Sequence, residues 1–327
     1  MANGPLGASG LLGIGIWAAG LLPAGAFDLQ GHRGARGLAP ENTLPAFERA
    51  LAVGVTTLEL DVGITRDGVP VVAHDPKLNP AFTRRDGTFL ESAGPALRSL
   101  TLAELKAYDV GRLKPGTSYA RSFPEQAPAD GAAVPTLQEV FDLARAAPVR
   151  FNVETKITPT SGDETADPDT FVRAILGAAD RAGILDRISL QSFDWRTLQA
   201  ARTLAPAVPR VCLTTEGATF NNLRSGPAGV SPWTGFDLAA FGGSAPRLVK
   251  AAGCATWSPN HQSLTPERLK DARAEGLLVV PWTVNETADM ERLVAWGVDG
   301  LISDYPDRVR AVLAGRGLPV PEPWRGP

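Results

Sequence analysis

From Phe27 onward, short apolar runs rich in β-branched residues alternate with helical segments, and this alternation leaves few folds open. The predicted strands are Phe27–His32, Thr57–Gly63, Arg150–Lys156, Ile188–Phe193, Pro209–Thr214, Ala255–Ser258, Leu278–Val284 and Gly300–Asp304. Helices are expected over Glu41–Val53, Thr136–Ala146, Asp167–Ala182, Trp195–Leu204, Pro266–Glu275, Glu286–Trp296 and Asp307–Ala314. Strand–helix alternation builds a parallel sheet, because parallel neighbours need a crossover between them. Gly54, Gly183, Gly276 and Gly297 stand just past four of these helices, where a left-handed C-cap selects glycine. Eight such units predict an α/β fold, a (β/α)8 TIM barrel, as one domain over residues 27–327. A doubly wound sheet is the alternative, but it would carry a glycine-rich phosphate turn after its first strand. That strand here runs into His32-Arg33-Gly34.

One interval breaks the rhythm. Residues 77–134, rich in Pro, Gly, Arg and Ser, form an insertion after the second strand, with one short helix expected over Thr101–Tyr108. Such an insertion lands on the C-terminal face, where barrel active sites sit. Residues 217–245 form a smaller irregular region on the same face. Ahead of the barrel, residues 1–26 read as a signal peptide: an apolar run from Leu11 to Leu22, then Pro23 and Ala24-Gly25-Ala26. Residues 1–10 lack Lys and Arg, which runs against that reading. The run is short for a stable membrane span and Pro23 breaks it, so the expectation is a periplasmic or secreted protein. An oxidising compartment would permit a disulfide between Cys212 and Cys254, on adjacent predicted strands; their offset along the strands leaves the pairing open. With a net charge of −3 and no basic stripe, nucleic acid is excluded as the partner.

The chemistry gathers on two strands. Side chains alternate along a strand, so Glu59 and Asp61 share one face while Leu58, Leu60 and Val62 point to the helices. The third strand repeats this with Glu154 and Lys156. Three inward carboxylates repel one another unless a cation lies between them, and an oxygen-only set suits Ca²⁺ or Mg²⁺ rather than zinc or copper. The plainer alternatives are a hydrogen-bonded polar layer in the barrel, and Lys156 as a salt bridge to Glu154 or Glu59. Of only three histidines, His32 ends the first strand and His74 follows the apolar run Val69–Ala73 after the second. Two imidazoles beside a carboxylate cluster can serve as general base and general acid across a phosphorus centre, with Lys156 and Arg33 stabilising charge.

The ordered set His32-Arg33-Gly34, Pro40-Glu41-Asn42-Thr43, Glu59-Leu60-Asp61-Val62, His74-Asp75, Glu154-Thr155-Lys156, Trp282-Thr283-Val284-Asn285 and Ser303-Asp304-Tyr305-Pro306 resembles the glycerophosphodiester phosphodiesterase family over nearly the whole mature chain. That resemblance implies His32 and His74 as the acid–base pair, Glu59, Asp61 and Glu154 as metal ligands, and Arg33 and Lys156 as phosphate contacts. It implies a small-molecule glycerophosphodiester as substrate and glycerol 3-phosphate and an alcohol as products. A lysophospholipase D or sphingomyelinase D-like activity on the same barrel is the alternative; a hydrophobic groove in the insertion would favour it. Glu41 is expected to orient Arg33 or His32, or to be a favourable first-turn charge of the first helix. Trp282 is expected to wall the alcohol pocket or to be a core aromatic. Gln191 is a candidate substrate contact, whereas His261 and the pair Arg84-Arg85 read as surface side chains.

Overall fold

The computed structural model describes residues 26–326, so the expected leader up to residue 25 lies outside the described residues. Eight strands form the barrel: Asp28–Gly31 (β1), Thr57–Ile64 (β2), Arg150–Thr155 (β3), Ile188–Ser192 (β4), Arg210–Thr214 (β5), Thr256–Pro259 (β6), Leu278–Val279 (β7) and Gly300–Ser303 (β8). An unbroken parallel ladder runs from β7 through β6, β5, β4, β3, β2 and β1 to β8. The remaining seam, between β7 and β8, is bridged by Asp299 N to Val279 O at 2.9 Å, Ile302 N to Pro281 O at 3.0 Å and Val284 N to Ile302 O at 2.9 Å. The result is a nearly closed TIM barrel. β7 is shorter than the predicted Leu278–Val284 because Pro281 has no N–H to give to a ladder.

Eight helices surround the strands: Leu44–Val53 (α1), Leu137–Leu143 (α2), Pro168–Ala182 (α3), Trp195–Leu204 (α4), Ala245–Ala251 (α5), Pro266–Ala274 (α6), Thr287–Trp296 (α7) and Pro306–Gly315 (α8). Gly54, Gly183, Gly276 and Gly297 all adopt positive φ, as a C-cap requires. α1 begins three residues later than predicted: Thr43 caps it by accepting from Ala46 N, and Pro45 occupies its first turn. Glu41 therefore precedes the cap and is not a first-turn charge. α5 lies at the end of a stretch read as irregular. Ser244 caps it and Pro246 starts it, signals hidden by the glycine-rich run just before.

Strand alternation sorts the barrel as expected. Leu58, Leu60 and Val62 are fully buried and pack outward in one core with Phe47, Phe141 and Phe151. Inside, β1, β3 and β4 contribute amides. Gln30 Nε2 donates to Asp28 at 2.8 Å, and Asn152 Nδ2 donates to the side-chain oxygens of both Gln30 (3.0 Å) and Gln191 (2.8 Å). This polar cluster fills the β1, β3 and β4 side of the interior, while Leu213 of β5 and Ile302 of β8 line the cleft with apolar side chains.

The insertion carries its own small core. Val71, Leu78, Leu97, Leu105, Tyr108, Val110 and Val134 are buried together, with Phe82, Leu90 and Leu100 against them. Its short helix, Leu102–Leu105, is closed by a Thr101–Glu104 capping box. Arg84 is not a solvated charge: it pairs with Asp109 and Asp130. A disulfide joins Cys212 in β5 to Cys254, two residues before β6. Among the described residues, no helix is long and apolar enough to cross a membrane.

Candidate active site

Glu59 and Asp61 of β2 meet Glu154, near the C-terminal end of β3, and Asp61 lies directly opposite Glu154 in the ladder. Each offers a carboxylate oxygen within 4.8 Å of the others, and all three are buried. Glu59 accepts from Gln191 Nε2 at 2.6 Å and from Arg33 N at 2.8 Å. Asp61 Oδ2 accepts from Asn42 Nδ2 at 2.8 Å and lies 3.2 Å from Arg33 Nε. Its Oδ1 is buried with no hydrogen-bond partner and stands 3.7 Å from Lys156 Nζ. Lys156 instead bonds Glu154 at 2.7 Å, the salt bridge that sequence left as an alternative.

Burial, then the charges of Asp61 and Glu154, push the Glu59 carboxyl well above the usual range. Burial also raises Glu154, to about 7, with Lys156 opposing it. Burial pushes Asp61 the same way, but Arg33 and Lys156 outweigh it and hold Asp61 well below its ordinary value. The cluster thus wants more positive charge than its own side chains bring. Three hard oxygen donors, one buried carboxylate oxygen without a hydrogen-bond donor and upward-shifted neighbours fit a hard divalent cation.

The loop after β1 turns sharply to bring its groups here. Gly34 has φ 86°, and a Cβ on it would sit 2.7 Å from the α1 backbone at Ala46. Arg33 and Asn42, which are not glycines, also take positive φ of 51° and 55°. Each aims a donor at the acids. Arg33 also reaches Glu41, with Nη1 2.7 Å from Oε1.

Both histidines line the same cleft. His32 Nδ1 lies 2.6 Å from Asp304 Oδ1. Burial alone would push Asp304 up, but His32 and Arg36 keep it ionised, so it accepts and His32 Nδ1 donates. That leaves Nε2 as the acceptor nitrogen, turned toward Glu59 at 3.9 Å. Burial lowers the His32 pKa to about 4 despite the pull of Asp304. His74 Nδ1 pairs with Asp75 at 2.7 Å, and Asn79 holds the other Asp75 oxygen at 2.6 Å. Burial, then Arg33 and Lys156, lower His74.

The cleft has a volume of about 160 Å³ and opens to solvent. Trp282 and Phe193 form one wall, edge to face at 5.2 Å. Phe220 and Trp233 continue the aromatic row outward, at 5.3 Å from Phe193 and 4.8 Å from Phe220. Gln191 lines the cleft and binds Glu59, whereas His261 is not among the cleft residues and lies 4.0 Å from Asp289.

Several residues in the site were not singled out from sequence. Asp304 fixes His32, and Arg36 and Asn285 fix Asp304, Arg36 by Nε at 2.8 Å and Nη2 at 3.0 Å, Asn285 by Nδ2 at 2.7 Å. Asn42 holds Asp61, and Tyr119 of the insertion bonds Glu41. The signal for Asp304 was its place at the end of the last strand, which barrel closure sets beside the first.

The sequence profile described as the Glycerophosphoryl diester phosphodiesterase family matches residues 32–308. A glycerophosphodiester phosphodiesterase of Bacillus subtilis (strain 168) is 30% identical over 288 residues, covering 87% of this chain and 85% of that protein. A solved structure from Silicibacter pomeroyi DSS-3, provisionally assigned as a glycerophosphoryl diester phosphodiesterase, shares 37% identity at a TM-score of 0.79, over 90% of this chain and 95% of that one. A phosphodiesterase from Oleispira antarctica, solved with the product sn-glycerol-3-phosphate, shares the fold at a TM-score of 0.64 and 22% identity, over 87% and 96% of the two chains.

Proposed function

The chain belongs to the glycerophosphoryl diester phosphodiesterase family and is a glycerophosphodiester phosphodiesterase; from that premise we propose a metal-dependent hydrolysis, run by two histidines, that releases glycerol 3-phosphate and an alcohol. The observation that carries this reading is the acid cluster between two aspartate-held imidazoles, with Arg33 and Lys156 facing the same cleft. Glu59, Asp61 and Glu154 would hold Ca²⁺ or Mg²⁺, and the bound ion would supply Lewis-acid polarisation of a phosphoryl oxygen. Arg33 and Lys156 bind the phosphodiester oxygens and stabilise charge that develops on them.

His32 is suited to the base. Its Nε2 carries no proton at neutral pH, and Asp304 stabilises the imidazolium that forms when it takes one from the attacking water. A new O–P bond forms, the P–O bond to the alcohol breaks, and the alcohol oxygen takes its proton from His74. His74 is suited to that role because Arg33 and Lys156 are among the causes of its low pKa. A bound phosphodiester anion offsets those charges and lets the imidazole hold a proton.

The alcohol lies against Trp282 and Phe193 on the open side of the cleft. The alternative, a lysophospholipase D-like groove in the insertion, would have to use the small pocket beside His74 that Leu78, Phe82, Leu97 and Val110 line. Export is part of the same proposal: the leader is followed by a barrel whose two cysteines are bridged, as an oxidising compartment allows. The test is product analysis on a panel of glycerophosphodiesters, with and without chelator. Glycerol 3-phosphate should appear, stop on chelation and return with Ca²⁺ or Mg²⁺. Full turnover after exhaustive chelation overturns the metal assignment.

A further inference from the structure

The insertion sends one side chain into the arginine pair behind the phosphate site. Tyr119, on the short helix Ser118–Ser122, donates its hydroxyl to Glu41 Oε2. The same hydroxyl accepts from Arg36 Nη1 at 3.4 Å. Glu41 Oε1 accepts from Arg33 Nη1 at 2.7 Å. Arg36 binds both oxygens of Asp304, which in turn holds His32. One phenol therefore joins two hydrogen-bonded chains, one ending on a guanidinium and the other on an imidazole.

Glu41 has a choice of partners. Its Oε2 lies 3.9 Å from Arg36 Nη1, close enough for a small rotation to form that ion pair at the expense of Arg33. The Tyr119 hydroxyl occupies Oε2 and leaves Oε1 on Arg33. The ring is itself held, by Phe82 at 5.8 Å and Phe123 at 5.2 Å, while Arg36 stacks over Phe123 at 4.6 Å. Held this way, the phenol gives Glu41 one orientation.

We propose that Tyr119 is a positioning residue for the phosphate site: by fixing Glu41 it keeps the Arg33 guanidinium aimed at the phosphodiester. This rests on Arg33 being a phosphate contact. It also means that the insertion completes the phosphate site.

The test uses the full chain loaded with Ca²⁺ and measures binding of glycerol 3-phosphate by calorimetry, with melting temperature and the kcat and KM split alongside. Tyr119→Phe removes only the hydroxyl. It should weaken glycerol 3-phosphate about 5- to 10-fold and raise KM by a similar factor, as expected for loss of one hydrogen bond, with the melting temperature little changed. In an Arg33→Lys background the same change should add no further loss, because the group it positions is gone. Unchanged glycerol 3-phosphate affinity in Tyr119→Phe overturns the proposal, whether or not the protein melts lower. So does an equal, additive loss in the Arg33→Lys background. Arg33→Lys that binds glycerol 3-phosphate as tightly as the parent instead overturns Arg33 as a phosphate contact, so the two failures are told apart.

Discussion

A cation entering the acid cluster must displace protons, and the number it displaces should depend on pH in a defined way. Without the ion, Glu59 is raised well above the usual carboxyl range and Glu154 to about 7, both mainly by burial, while Asp61 stays ionised. All three must be carboxylates to hold Ca²⁺ or Mg²⁺, so binding releases protons. Glu154 is largely protonated at pH 6 and ionised at pH 8, so about one proton more should leave per ion at pH 6 than at pH 8. Apparent affinity rises about tenfold per pH unit for each proton released, so the Glu154 proton alone raises it about tenfold between pH 6 and pH 8. The sign for stability follows. The raised Glu154 contributes stability that is intact below its ordinary value of 4.5 and lost as pH climbs through about 7. His32, lowered from 6.5 to about 4, works in the opposite direction, destabilising the fold as pH falls through that window. The clean observable is therefore the difference between loaded and metal-free protein. Calorimetric titration in two buffers of different ionisation heat, at pH 6 and pH 8, counts the protons directly. An affinity that changes less than threefold across that range, with no proton release, refutes the reasoning.

His32→Ala and His74→Ala should each lower kcat by about 10²- to 10⁴-fold with the circular dichroism spectrum retained; near-parental turnover in either removes that histidine from the acid–base pair. Trp282→Ala should change the ranking of alcohol groups by several-fold in kcat/KM while leaving metal affinity alone, because its indole N–H is already bound to Ser258 O at 3.0 Å and only its ring faces the cleft; an unchanged ranking across the panel excludes it from the alcohol pocket. Natively exported protein should begin near Phe27 by intact mass, and a chain that retains residues 1–20 would count against cleavage.

How much of this was legible in the sequence depends on the physical range of each signal. Period-two alternation placed Glu59, Asp61 and Glu154 on one face, and the fold keeps them there because the opposite face, Leu58, Leu60 and Val62, can only be buried against helices. Asp304 was harder: its contact with His32 spans 272 residues and exists only once β8 closes on β1. Tyr119 was out of reach, since the insertion has no periodicity from which to read a direction. The later start of α1 was legible after all, in a Thr followed two residues on by Pro.

The β1 loop explains why the remaining residues resisted prediction. Positive φ at Arg33 costs about 1–2 kcal/mol, so no propensity rule would place it so, while Asn42 is among the few residue types that tolerate that region. Arg33 in that conformation turns its N–H onto Glu59 and its guanidinium toward Asp61, while Asn42 turns its amide onto the same aspartate. Glycine at either position would relax the backbone and discard the side-chain donor. Within the β1 loop, the non-glycine residues with positive φ are the two whose donors the acid cluster needs. Local propensity is overruled there by the electrostatics of three buried carboxylates, and it is at such points that a sequence reading of the fold and a sequence reading of the site part company.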